Sequence, residues 1–335
     1  MPMGASGTEL GIKAVVLIAL CSQNALYSLY RRYAQSVLQE QWSVAANLWI
    51  GEFMKIAIAL YMIAKDPANS KAPAEQQGMA AKVGWIIRSG LPMAVPAGMY
   101  LVMNVLSFVA LERIDAGTYT VCSQLKIAAT AVAFVTMLSK PMAPRKWRAV
   151  LLITVGSILI SWDNRPVGKG AKAEGSEYAF GLLAVLMQAS LAGVSSVYFE
   201  KVLKDKQTPG TVWDRNIQLA GYSIVLYIPM LMRDATKNGS PFANLTVNFW
   251  IISVLGAAGG ILVALSVKHT NSVVKSVALA GAVVATQLLG AVFVESGSLS
   301  LVTACGSVVV IVSVWSYSDN GDEPPKYIPL TQTEK

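Results

Sequence analysis

Ten runs of apolar sequence, nearly free of charge, dominate this 335-residue chain, at about 11–33, 44–64, 84–110, 115–138, 147–163, 178–200, 211–232, 247–267, 271–294 and 298–317. A helix needs ~20 largely apolar residues to cross the hydrocarbon core of a bilayer. Within lipid each backbone polar group must find its partner inside the segment, so such runs predict helices. The expected fold class is an all-α membrane protein with ten transmembrane helices. Charged residues are only 14% of the chain and hydrophobic ones 54%, where soluble domains carry about 25% charged residues. That balance excludes a soluble enzyme and a nucleic-acid binder, and makes the lipid bilayer the first partner.

The net charge of +8 bears on sidedness. With the N-terminus in the cytosol, fifteen lysines and arginines fall on the cytosolic side and eight on the other. The positive-inside rule therefore favours cytosolic termini at both ends. The sequons Asn238-Gly239-Ser240 and Asn244-Leu245-Thr246 both fall in a loop on the opposite, luminal side. The first ten residues are polar, and the apolar run after Lys13 lacks a small-residue cleavage signature, so the first span is expected to remain in place. Cys21, Cys122 and Cys305 lie scattered in apolar runs and read as small packing residues.

Four basic residues remain for the membrane: Lys55, Lys126, Arg215 and Lys275. Each costs ~2.5–3.5 kcal/mol near a helix centre, so each needs an anionic partner or a watery cavity. Glu52 precedes Lys55 by three residues and can pair with it on one helix face, as an ion pair or as support for a site. Arg215 lies near a span end, where it can snorkel or pair with Asp214. Lys126 and Lys275 have no acid within four residues, and a bound anion would supply the missing charge. Polar side chains recur around them at helical spacing. Tyr119, Ser123, Lys126 and Thr130 form one stripe, Tyr100, Asn104 and Ser107 a second, and Arg215, Gln218 and Tyr222 a third. Interhelical hydrogen bonds account for many single residues of this kind; the isolated lysines call for more.

Ten spans divide into five and five. An odd number per half makes the halves inverted, places Lys126 and Lys275 on the fourth helix of each, and points to a site at the midplane between them. The expected organisation is a cytosolic tail at 1–10, a first five-helix repeat at 11–163, a luminal loop at 164–177, a second repeat at 178–317 and a cytosolic tail at 318–335. No catalytic, metal-binding or phosphate-loop motif appears, and His269 is the only histidine. The expected function is transport, without catalytic residues, metal or cofactor. A membrane-embedded enzyme using an activated sugar is the distant alternative.

Four segments carry a resemblance: S-Q-L-K-I-A-A-T (123–130), Y-F-E-K-V-L-K (198–204), V-W-D-R-N-I-Q-L (212–219) and V-K-H-T-N-S-V-V-K-S (267–276). Together they resemble the nucleotide-sugar transporters of the drug/metabolite transporter superfamily, most of all the CMP-sialic acid branch. The resemblance implies a ten-helix inverted repeat in the Golgi membrane that exchanges luminal CMP for cytosolic CMP-sialic acid or a related CMP-sugar, with a UDP-galactose or other UDP-sugar carrier as the alternative. A homo-oligomer is compatible with it. It also implies that Lys126 contacts the nucleotide phosphate and that Lys275 meets the phosphate or the sugar carboxylate. Tyr100 and Asn104 would line the base and ribose pocket, Asn216 and Gln218 would add polar contacts, and Ser195 would stand at the wall. Tyr119 joins them through its stripe. Where relatives carry an aromatic after I-Q-x this chain has Ala220, with Tyr222 two residues on.

Overall fold

The computed structural model describes residues 7–34, 38–72, 78–163, 175–205, 210–243, 245–293 and 300–318. The described residues form thirteen α-helices and short 3-10 turns. The first half of the chain contributes α1 (Gly7–Arg32), α2 (Val44–Lys65), α3 (Met79–Ser89), α4 (Ala94–Arg113), α5 (Ala116–Ser123), α6 (Lys126–Leu138) and α7 (Pro144–Asp163). The second contributes α8 (Gly175–Leu203), α9 (Val212–Leu226), α10 (Ile228–Asn238), α11 (Val247–His269), α12 (Ser272–Phe293) and α13 (Leu301–Ser318). Most of the expected 164–177 loop, residues 1–6 of the expected N-terminal tail, the expected C-terminal tail after Ser318 and the sequon residue Asn244 lie outside the described residues.

Among the described residues eight stretches are long and apolar enough to cross a membrane, against ten expected. The two that differ are the fifth and seventh runs. α7 opens on Pro144-Arg145-Lys146-Trp147-Arg148, which places three cations in its first turns and lowers its hydropathy. The seventh run is divided: α9 ends at Leu226 and α10 begins at Ile228, with Pro229 in its first turn. A proline there has no N–H and its ring obstructs the carbonyl four residues back, so one continuous helix gives way to two shorter ones. The third run is interrupted too. α3 stops at Gly90, Leu91–Met93 make a 3-10 turn, and Pro96 falls in the first turn of α4, where its missing N–H costs little.

Helix packing exchanges partners between the halves. α1 lies against α11 and α12, while α8, which opens the second half, lies against α4 and α6; α2 pairs with α9, and α7 with α13. Numbering the ten expected runs in chain order, first packs on eighth and ninth, sixth on third and fourth, second on seventh, fifth on tenth. Swapping the halves leaves this pattern unchanged. Glycines permit the closest approaches. A Cβ on Gly193 of α8 would stand 2.6 Å from backbone atoms of Ala129 and Thr130 on α6, and one on Gly156 of α7 or Gly306 of α13 would stand 3.0 or 3.1 Å from the other's carbonyl oxygen. Val15, Ile18, Leu151, Leu152, Val254, Ile311 and Trp315 are exposed on the outside, as expected of a surface whose solvent is lipid.

Candidate functional site

Polar side chains converge where α1, α4, α6, α8 and α12 meet, around a cavity of about 250 Å3. Lys126 and Lys275 both line it, with Tyr100, Gln124, Thr130, Ser196 and Ser276. Among the described residues no carboxylate comes within the 4.0 Å of an ion pair to either lysine. The charges expected to lack a local partner are thus brought into one cavity, with no ion-paired carboxylate among the described residues.

Local structure explains how each lysine is presented. The fourth run, expected as one helix, is broken at Gln124 and Leu125, whose N–H groups donate to the carbonyls of Val121 and Cys122 in tight turns. Lys126 is therefore the first residue of α6, and its side chain is exposed to the cavity. The positive end of the α6 dipole and the ammonium lie together, an arrangement that favours an anion. The break takes Tyr119 off the stripe; its hydroxyl shares a 2.9 Å hydrogen bond with Ser107 of α4, away from the lysines.

Lys275 sits in the first turn of α12 and donates to the Ser196 hydroxyl of α8 at 2.5 Å. One turn further along α8, Glu200 is 1% exposed and accepts 2.7 Å bonds from both the N–H and the hydroxyl of Ser272, the first residue of α12. Lys204 closes the group, 2.8 Å from Glu200 and 2.5 Å from the carbonyl of Thr270. The acid and second lysine of the E-K-V-L-K motif thus clasp the α11–α12 connection and fix the turn that carries Lys275.

A second cavity of about 260 Å3 adjoins the first and shares Asn24 and Leu279 with it. Glu52 and Lys55 meet there at 2.5 Å, as their spacing on α2 predicts. Gly259 and Gly260 of α11 make space for Gln23 and Lys55; a Cβ on either would come within 2.9 Å of those side chains.

The other expected site residues are distributed differently. Tyr100 faces Ser195, which is fully buried. Asn104, one turn on, faces Tyr227 at the α9–α10 break. Neither Ser195 nor Asn104 lines the lysine cavity. Gln218 and Asn216 are buried on α9 and engaged there: Gln218 donates to the Ile86 carbonyl at 2.9 Å and Asn216 to the Val212 carbonyl at 2.8 Å. Arg215 does not snorkel; it is 1% exposed and donates to Gln218 at 2.9 Å. Asp214 caps α9 with Thr211 and accepts from Ser70 and from the N–H of Lys71. Tyr222 donates to the Ile87 carbonyl. The V-W-D-R-N-I-Q-L segment therefore anchors α3 and the turn before it. Ser196, Gln124, Asn24 and Glu200 are the residues that sequence reasoning passed over. Only Glu200 carried a signal, as a carboxylate in an apolar run.

Among the described residues no three His, Cys, Asp or Glu side chains gather as a metal ion would need. Comparison with known proteins gives a consistent result. The nucleotide-sugar transporter family model matches residues 8–318. The chain is 29% identical to a UDP-N-acetylglucosamine transporter of Rattus norvegicus, over 91% of this chain and 95% of that protein. It is 30% identical to a UDP-N-acetylglucosamine/UDP-N-acetylgalactosamine transporter of Caenorhabditis elegans, over 96% of each. A UDP-galactose transporter of Schizosaccharomyces pombe is 27% identical over 96% of this chain and 92% of its own. A solved crystal structure superposes with a TM-score of 0.66 at 13% identity, covering 91% of this chain and 97% of that one, which shows a shared fold.

Proposed function

The chain belongs to the nucleotide-sugar transporter family, a multi-pass membrane carrier and not an enzyme, and on that premise we propose that it exchanges a UDP-sugar for UMP by alternating access. One observation carries the proposal: two lysines from corresponding helices of the two halves line a single cavity, with no ion-paired carboxylate against them among the described residues. The pyrophosphate of a UDP-sugar supplies two adjacent negative charges to such a pair. CMP-sialic acid, with one phosphate and one carboxylate, carries a comparable charge, so lysine count does not choose the nucleotide. The relatives favour uridine, since those named above are transporters of UDP-sugars. The UDP-sugar alternative thus replaces the CMP-sialic acid reading.

In this proposal Lys126 and Lys275 neutralise the phosphates, Ser196 orients Lys275, and Tyr100 lines the nucleoside end. The Glu52–Lys55 pair supports the adjoining cavity. Ten spans in two inverted halves, in the Golgi membrane with both termini cytosolic, complete the reading; the partner exchange between halves and the excess of cytosolic lysines and arginines support it. A thermal-shift series on the purified chain tests the nucleotide. UMP should stabilise it more than CMP or AMP at equal concentration, and stabilisation led by CMP would return the assignment to CMP-sugars.

A further inference from the structure

Beyond Gln124 the lysine cavity opens into an annex that none of the roles above uses. It encloses about 200 Å3 between α1, α5, α7 and α12, room for one sugar ring. Asn24 and Gln124 form its boundary with the lysine cavity and Gln287 lies at its other wall, with Thr120, Ser161 and Thr286 between. Every polar side chain lining it is a neutral amide or hydroxyl. The nearest acid along α7, Asp163, is turned to Ser300 and Thr303 at the start of α13.

Three of these side chains keep their amides open to the annex, Gln124 from a buried position and Asn24 and Gln287 from half-buried ones. The amides of Asn24, Gln124 and Gln287 make no hydrogen bond among the described residues, so their donors and acceptors are available to a ligand in the annex. Each offers two donors and an acceptor, the complement of sugar hydroxyls or an acetamido group. Gln124 is two residues from Lys126, so a ligand whose phosphates rest on the lysines would extend directly into the annex.

Building on the UDP-sugar reading, we propose that this annex is the sugar subsite, and that its uncharged lining selects neutral hexoses and N-acetylhexosamines over acidic sugars. A uronic acid or sialic acid placed there would lose solvent from its carboxylate and gain no cation in return. A neutral ring offers these amides hydroxyl and acetamido partners and brings no charge to desolvate.

The test compares UMP, UDP-N-acetylglucosamine, UDP-galactose and UDP-glucuronate on the full chain, by thermal shift and by competition for uptake. The nucleotide is constant, so differences report the sugar. In the unaltered protein at least one neutral UDP-sugar should compete about tenfold better than UDP-glucuronate. Gln287→Leu should weaken binding of that neutral sugar about fivefold, the equivalent of one neutral hydrogen bond, while the UMP response, which also reports folding, stays within about twofold. Gln287→Lys should strengthen competition by UDP-glucuronate. Equal competition by neutral and acidic sugars in the unaltered protein, or a Gln287→Leu variant whose UDP-sugar affinity is unchanged beside a normal UMP response, would overturn the subsite. Absence of any UMP response would remove the transport reading itself, and the subsite with it.

Discussion

Lys275 donates to Ser196 and has no ion-pair partner among the described residues, and Lys126 extends into the same cavity from the start of α6. An uncompensated ammonium in the membrane is costly, so the site is poised for an anion, and removing either cation should be felt mainly by the ligand. Lys126→Ala and Lys275→Ala should fold and lose ~1.5–3 kcal/mol of UMP binding each, the range for a charge-assisted hydrogen bond; titration of the thermal stabilisation measures it. Ser196→Ala should lose less, about 1 kcal/mol, since it leaves the charge and removes its orientation. The two lysines were legible in the sequence because charge in an apolar run is conspicuous and the spacing to the nearest acid can be counted. Gln218 and Asn216 show what such a reading leaves open. A polar side chain in an apolar run needs a partner, and the sequence does not distinguish a ligand from the carbonyl of Ile86 or Val212. Ser196 stayed hidden because a serine beside another serine looks like helix packing.

Elements decide how those residues are presented. Apolar length revealed the helices, but their interruptions were only partly legible: Pro92 and Pro229 lie in the runs that split, whereas the break at Gln124–Leu125 has neither proline nor glycine to announce it. That break depends on tertiary packing, with Gly193 letting the backbone of α6 close on α8. Gly193→Val should displace α6, because the added carbons meet backbone and not a flexible side chain; the expected result is a large fall in monodisperse yield and thermal midpoint. Glu200→Ala should act at the other end of the site. It leaves the first N–H of α12 and Lys204 without their carboxylate, a loss of about 1–3 kcal/mol in stability for a buried bonded charge. UMP affinity should fall as well, because the turn that carries Lys275 loosens. A lower thermal midpoint with unchanged UMP affinity would mean that the clasp holds the connection without shaping the site.

At the scale of the molecule, the interchange of helix partners between halves suits a carrier whose halves rock about a central site. The polar contacts near the chain's expected luminal side, Glu40 with Thr246 and Asn248 and Glu112 with Arg233, join the first half to the second. The Glu200 group clasps α8 to the α11–α12 connection on the expected cytosolic side. In the proposed alternating access some of these contacts would open in turn, with the cargo charge lowering the barrier by neutralising the lysines. Exchange should therefore depend on a nucleotide being present on both sides. The most direct measurement is uptake of labelled UDP-N-acetylglucosamine and UDP-galactose by proteoliposomes, with and without UMP inside, for the unaltered chain and for the Lys126→Ala, Lys275→Ala double variant. Uptake of a UDP-sugar that requires internal UMP and vanishes in the folded double variant is the expected result; uptake undiminished without internal nucleotide, or retained by the double variant, would contradict the account.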